Sequence, residues 1–244
     1  MLTRLHGLVA RRPSGYSLAA GVCALILAFG VKAFYSRAGA NELIWILAPS
    51  AWLARFVGGI DLAYEPGAGF ISHTHRLVVG PACAGINFLV IAFLSLYFSF
   101  ARNHSSKARW LFLSAALAFG AAIAANGFRI FVSAHLWSAD IYGNWMTREG
   151  MHRLAGTAIY YGSLLALYLA VEGWSCARGE RRRRMTPLFW YLGVSLGVPL
   201  GGRLIWGNIS GFAEHAVWVT GISLLLTLLM FLPSRPGNRV FWRP

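Results

Sequence analysis

The stretch GPACAGINFLVIAFLSLYFSF, residues 80–100, runs from a glycine-proline turn through a lone cysteine into an apolar run without a charged residue. A helix crosses the hydrocarbon core of a bilayer with about 20 mostly apolar residues. Five further segments share this character, so spans are expected at roughly 17–35, 83–101, 110–131, 151–171, 187–206 and 213–232. Together they take up about half of the 244 residues. The composition agrees: 57% of the residues are hydrophobic and 12% charged, with a mean hydropathy of +0.56, well outside the soluble norm. The expected fold is all-α, a polytopic helical membrane protein of about six transmembrane helices. One membrane-embedded domain is expected over 1–244, and the site must lie in or at the edge of the bundle.

A net charge of +14 would suggest nucleic acid in a soluble protein. The placement of the charges argues against that partner. With six spans and the N-terminus inside, 14 of the 22 Lys and Arg fall on the inner face: Arg4, Arg11, Arg12, Arg102, Lys107, Arg109, Arg178, Arg181 to Arg184, Arg235, Arg239 and Arg243. This is the positive-inside bias. The four-arginine run reads as a cytoplasmic anchor near anionic lipid, in a basic loop over 173–186.

Two segments need separate treatment. NELIWILAPSAWLARFVGG (41–59) is apolar but contains Pro49 and Arg55, so it is expected as an amphipathic or re-entrant helix at the outer surface. AGA (38–40) resembles a signal-peptidase site, but Lys32 and Arg37 precede it, so 17–35 is expected as a retained helix. The three cysteines form no framework. Cys23 is mid-helix and Cys176 lies in the cytoplasmic loop; Cys83 alone falls on the outer side.

The same topology brings three polar residues to one depth. Cys83 begins the second span at the outer side. Arg129 lies 20 residues after Arg109, about 30 Å along the third span, and His152 begins the fourth. Each has an ordinary reading: Cys83 as a small hydrophobe, Arg129 as a snorkelling side chain, His152 as an interfacial residue. Their convergence favours chemistry. Cys83 is the candidate nucleophile, because the thiolate is the reactive form and a helix start or a nearby cation favours it. His152 is the candidate general acid/base. Arg129 can donate to the oxyanion of a tetrahedral intermediate. Asn126, one turn before Arg129, and Gly85 are candidate supporting residues, with Gly80 and Pro81 shaping the approach to the sulfur.

At these residues the sequence resembles the exosortase/archaeosortase family of membrane-embedded cysteine transpeptidases, most closely the short exosortase K branch. The matching motifs are CAGI (Cys83–Ile86), NGFRI (Asn126–Ile130) and HRLAG (His152–Gly156). Their order and spacing agree with the family over roughly 41–172, the expected catalytic core, whereas the last two spans carry no matching motif. The resemblance implies a bacterial inner-membrane enzyme with its site facing outward and no cofactor. It implies as substrate a secreted protein whose C-terminal sorting signal has a recognition motif, a transmembrane helix and an Arg-rich tail. Such an enzyme cleaves near the motif and passes the acyl group to an acceptor. Ala84 stands where many relatives carry Ser, and the extra soluble domain of some relatives is missing; both leave the substrate motif open.

Two rival readings come from other features. The outer loop 60–79 alternates in polarity around Gly67 and Gly69, as a hairpin over the site would. Within it, His73 and His75 form an H-x-H pair that would put two imidazoles on one strand face. With His135, His152, Asp140 or Glu149 they sketch a membrane metalloenzyme. The second rival is a non-enzymatic adaptor or transporter subunit, although the internal repeats of a transporter are not evident. Gly193, Gly197 and Gly201, four apart around Pro199, read as close helix packing.

Overall fold

The computed structural model describes residues 15–138, 147–175, 185–206 and 212–231. Arg4, Arg11, Arg12, Arg178, Arg181 to Arg184, Arg235, Arg239 and Arg243, on which the expected orientation largely rests, lie outside them. So do Cys176 and Asp140, and the side chain of Glu149.

The described chain is mostly helical: α1 (Gly15–Tyr35), α2 (Ile44–Gly58), α3 (Ile86–Phe100), α4 (Lys107–Ser138), α5 (Arg148–Ser175), α6 (Thr186–Trp206) and α7 (Phe212–Phe231). Five segments are long and apolar enough to cross a membrane: Leu18–Tyr35, Pro81–Asn103, Lys107–Leu136, Gly150–Trp174 and Phe212–Met230. They occupy five of the six expected positions. The sixth position is taken by α6, a 21-residue helix that is not among those five. The protein is a multi-pass helical membrane protein.

The run that opened the reading becomes the central helix. In the span that contains α3, 61% is buried, against 11% for α1 and 17% for α7. Ile91, Ala92, Leu94, Ser95 and Leu96 are all buried, as expected of a helix that is apolar on every side. It packs against α1, α4, α5 and α6. At its far end a short 3-10 turn, Ala101–Asn103, leads into α4. The Lys107 ammonium donates to the carbonyls of Ala101 and His104, the latter at 2.6 Å, and so caps the end of α3. The His104 ring stacks on Trp110 with centroids 3.9 Å apart. Burial there, and then the Lys107 charge, lower the His104 pKa from its ordinary value.

Helix α2 runs alongside α4 and does not lie flat across the bundle's end. Trp45 stacks on Phe119 at 5.8 Å. A Cβ on Gly127 would meet Leu53 at 2.8 Å, and Gly58 is pressed against Phe131. Both helices therefore run in the same direction over this stretch, and glycine on α4 lets the backbones approach. At 15 residues α2 is about 22 Å long, short of the roughly 30 Å needed to span. Trp52, Phe56 and Val57 on its outer side are exposed.

The segment after α2 departs from an all-helical chain. It forms an antiparallel meander of β1 (Ala63–Glu65), β2 (Gly69–Ser72) and β3 (Leu77–Val79), with Ala63 opposite Ile71 and Phe70 opposite Val79. The expected hairpin around Gly67 and Gly69 is present, with a third strand added. Asn41 pins its tip, accepting from the Tyr64 hydroxyl at 2.7 Å and the Gly67 amide at 2.8 Å. At the opposite end Asp61 accepts from the hydroxyls of Ser72 (2.6 Å) and Thr74 (2.8 Å) and approaches His75 Nδ1 at 3.2 Å. The Ser72 and Thr74 hydroxyls hold the Asp61 carboxyl well below the usual carboxylate range, with a further contribution from His75. Strand β3 then delivers the chain to Pro81 and the cysteine.

Candidate active site

Cys83 sits in a short 3-10 turn, Pro81–Cys83, and not at the first turn of α3. Its amide donates to the Gly80 carbonyl at 2.8 Å, and the Ala84 amide donates to Pro81 at 3.0 Å. Gly85, with φ of 71°, then breaks the turn before α3 begins at Ile86. The expectation that the α3 N-terminus directly stabilises the thiolate is therefore corrected, since Ala84 and Gly85 stand between them. The thiol is half-buried, with the Val78 carbonyl of β3 4.0 Å from Sγ. Gly85 has two reasons to be glycine. Its φ favours a residue without Cβ, and a Cβ there would lie 3.4 Å from Asn126 and 3.5 Å from the Tyr160 hydroxyl.

The other groups come from facing stripes of two helices. On α4, Asn126, Arg129 and Ser133 follow helical spacing; on α5, His152, Gly156 and Tyr160 lie four residues apart. One hydrogen-bonded chain joins the two stripes to the cysteine turn. Asn126 Nδ2 donates to the Cys83 carbonyl at 2.6 Å. The Tyr160 hydroxyl donates to Asn126 Oδ1 at 3.0 Å and accepts from Arg129 Nη1 at 3.0 Å. Arg129 Nη2 lies 2.8 Å from His152 Nε2, and His152 Nδ1 lies 3.1 Å from the Ser133 hydroxyl.

This arrangement assigns a tautomer. A guanidinium can only donate, so Nε2 of His152 accepts and the ring proton sits on Nδ1, directed at Ser133. Gly156 makes the approach possible: a Cβ there would stand 3.2 Å from Arg129 Nε. That Nε is buried without a hydrogen-bond partner. Phe88 of α3 stacks on Tyr160, centroids 5.1 Å apart and planes within 15°. Arg129 is thus held between α4 and α5 and does not snorkel.

The expected residues therefore gather at one end of the bundle. Arg129 and His152 touch, Asn126 and Gly85 adjoin them, and Cys83 joins through its carbonyl. The thiol makes no hydrogen bond to His152. It is within electrostatic range of Arg129, Tyr160 and Tyr35. Beside these groups is a cavity of about 380 Å³ lined by Gly85, Arg129, His152 and Tyr160, and also by Lys32 of α1 and His215 of α7. Tyr160, Ser133 and Lys32 were not anticipated as site residues. The signals available were helical spacing from His152 and Arg129, and a lysine inside an apolar span.

The histidine pair does not behave as a strand-borne metal site. Residues 73–76 form a turn, so His73 and His75 do not share a strand face. His73 pairs with Glu65 at 3.6 Å, and His75 turns to Asp61. Its ring centroid is 6.4 Å from that of His135. Among the described residues, no group of three or more His, Cys, Asp or Glu is placed to hold a metal ion.

No curated protein and no solved structure matches the chain. Residues 7–169 match the family described as Transmembrane exosortase (Exosortase_EpsH). The match is to the family as a whole and does not single out a branch. It includes α1, beyond the 41–172 of the sequence reading, and stops before α6 and α7. It holds the cysteine turn, the α4 stripe and the α5 stripe together, and on its extent the chain belongs to the transmembrane exosortase family.

Proposed function

We propose that this protein is a cysteine transpeptidase of the bacterial inner membrane that processes the C-terminal sorting signals of secreted proteins at the outer face. The observation that carries this reading is the hydrogen-bonded chain from the Cys83 carbonyl through Asn126 and Tyr160 to Arg129 and His152. It ties the Cys83 turn to a fixed cation and to an imidazole of defined tautomer.

In the resting arrangement Arg129 occupies the lone pair that His152 needs for accepting a proton. A substrate carbonyl beside Cys83 draws the guanidinium toward its oxygen and frees Nε2. The thiol proton passes to Nε2, sulfur bonds to the carbonyl carbon, and the carbonyl electron pair moves to oxygen, where Arg129 balances the charge. When the tetrahedral adduct collapses, the C–N bond breaks and His152 gives its proton to the departing amine. The thioester is resolved when an acceptor nucleophile, deprotonated by His152, adds to the carbonyl and expels the Cys83 thiolate. An acceptor bound beside Cys83 competes with water by proximity.

The partner is a secreted protein whose own helix docks beside the bundle while its basic tail stays in the cytoplasm. The test is co-expression of such a substrate with the wild type, Cys83→Ala and His152→Ala, followed by mass spectrometry. The wild type yields a shortened, acceptor-modified product; both variants accumulate full-length substrate. Undiminished turnover in Cys83→Ala would refute the nucleophile, and a product always ending in a free carboxylate would identify a protease.

A further inference from the structure

The cavity is lined by basic side chains that the acyl-transfer steps do not use. Lys32 of α1, Arg153 of α5 and His215 of α7 line it together with Arg129 and His152, and among the described residues no Asp or Glu does. Glu214, just outside, approaches Arg153 at 3.5 Å. Lys32 Nζ donates to Asn87 Oδ1 at 2.5 Å, which uses one of its three donors. Among the described residues, one carboxylate therefore stands against the fixed charges of Lys32, Arg129 and Arg153. Charged side chains in spanning helices are rare and mark a functional group more often than a structural one. An unbalanced set of them calls for an anion.

We propose that the cavity binds a phosphate group, held by Lys32, Arg153 and His215 beside the Arg129–His152 pair. Two features favour phosphate over a carboxylate. The donors arrive from three different helices, which suits oxygens arranged around a tetrahedron and not two coplanar oxygens. The surplus of charge is also larger than a single carboxylate cancels. The site is placed for a membrane-borne ligand. Helix α1 packs on α3 and α4, whereas α7 packs on α5 and α6, so Lys32 and His215 reach the cavity from helices with different neighbours. Spans α1 and α7 are also the two least buried, which leaves the cavity bordered by lipid-facing helices. His215 lies beyond the matched region 7–169, so this wall is a feature of this chain outside that match. In the proposed reaction the phosphate is the handle by which the acceptor is held. That role rests on the transfer reading, whereas the binding does not.

The test uses the full chain in neutral detergent, titrated by native mass spectrometry with short-chain phosphatidic acid, inorganic pyrophosphate and a matching diacylglycerol. Phosphatidic acid should bind the wild type and Cys83→Ala equally, at least tenfold more weakly to Lys32→Gln and Arg153→Gln, and diacylglycerol should not bind. Lys32→Arg, which keeps the charge, should restore binding and shows that loss in Lys32→Gln is not misfolding. Competition by pyrophosphate would confirm phosphate as the recognised group. Pyrophosphate binding without phosphatidic acid binding would assign the site to a free phosphoryl compound. Absence of binding by either anion, or equal affinity in Lys32→Gln and Arg153→Gln, overturns the proposal. Phosphate binding alongside full turnover in Cys83→Ala would leave the subsite standing and remove the transpeptidase reading.

Discussion

Tyr160→Phe isolates the hydroxyl that joins the two halves of the site. The ring should stay in place, because it stacks on Phe88 at 5.1 Å and lies beneath the Arg129 guanidinium at 5.4 Å. What is lost is one bond accepted from Arg129 and one donated to Asn126, each 3.0 Å. Asn126 is fully buried, so its carbonyl oxygen has no water to turn to. Leaving a buried polar group unpaired costs about 1–3 kcal/mol, and here two are affected. Part of this will be relieved by movement of Arg129 and of the Cys83 turn, and that movement is what harms catalysis. If about 2.7 kcal/mol of the loss falls on the transition state, turnover drops roughly 100-fold. The assay is turnover of a co-reconstituted substrate at matched enzyme, with thermal unfolding measured alongside. Normal turnover combined with a lowered unfolding temperature would refute the reasoning, since the hydroxyl would then be a structural tie only.

Arg129→Lys keeps the charge but loses the planar fork that reaches Tyr160 and His152 together; turnover should fall about 100-fold or more, and near-normal rates would remove the oxyanion role. Gly156→Ala places a methyl 3.2 Å from Arg129 Nε; a displacement of a few tenths of an ångström should cost about tenfold in turnover, with insertion and expression unchanged. Asp61 has a depressed folded-state pKa, so its hold on Ser72 and Thr74 is complete above the ordinary carboxylate value of about 4 and is lost as pH falls further. Amide exchange across 61–79, corrected for intrinsic rate, should therefore rise between pH 5 and pH 3 in the wild type. In Asp61→Asn it should already be high at pH 7 and change little with acid.

The spans were legible because each is a long apolar run bounded by charge or glycine, and the order of Cys83, Arg129 and His152 followed from counting residues along helices. The course of α2 was not legible. Pro49 and Arg55 argue against a full span, but only contact with Phe119, Gly127 and Phe131 shows that the helix enters alongside α4. The cysteine turn was misjudged for a local reason: the apolar run begins at residue 83, yet Pro81 and Gly85 bracket a separate 3-10 turn before α3. Tyr160 gave the weakest signal, since a tyrosine in an apolar helix is common and its importance arises from what α3 and α4 bring to it.

The contact between Arg129 and His152 changes how the trio functions. Sequence reasoning expected the three groups to converge at one membrane depth, on three successive helices. In the structure the cation sits on the base, and the thiol rests by the Val78 carbonyl without a hydrogen bond to His152. A neutral imidazole whose lone pair accepts from a guanidinium is a poor base until that guanidinium moves. In the proposed mechanism the carbonyl of a bound peptide offers Arg129 a competing acceptor that becomes anionic as sulfur adds, so the guanidinium leaves His152 in step with formation of the adduct. On the proposed mechanism, activation of the thiol is then tied to the presence of substrate. On the same mechanism a stray water in the cavity, which lacks the carbonyl oxygen that would release His152, should leave the site inactive. The orphaned Nε of Arg129, buried against Gly156, supports this view: the resting position leaves one donor unpaid, which lowers the cost of leaving it.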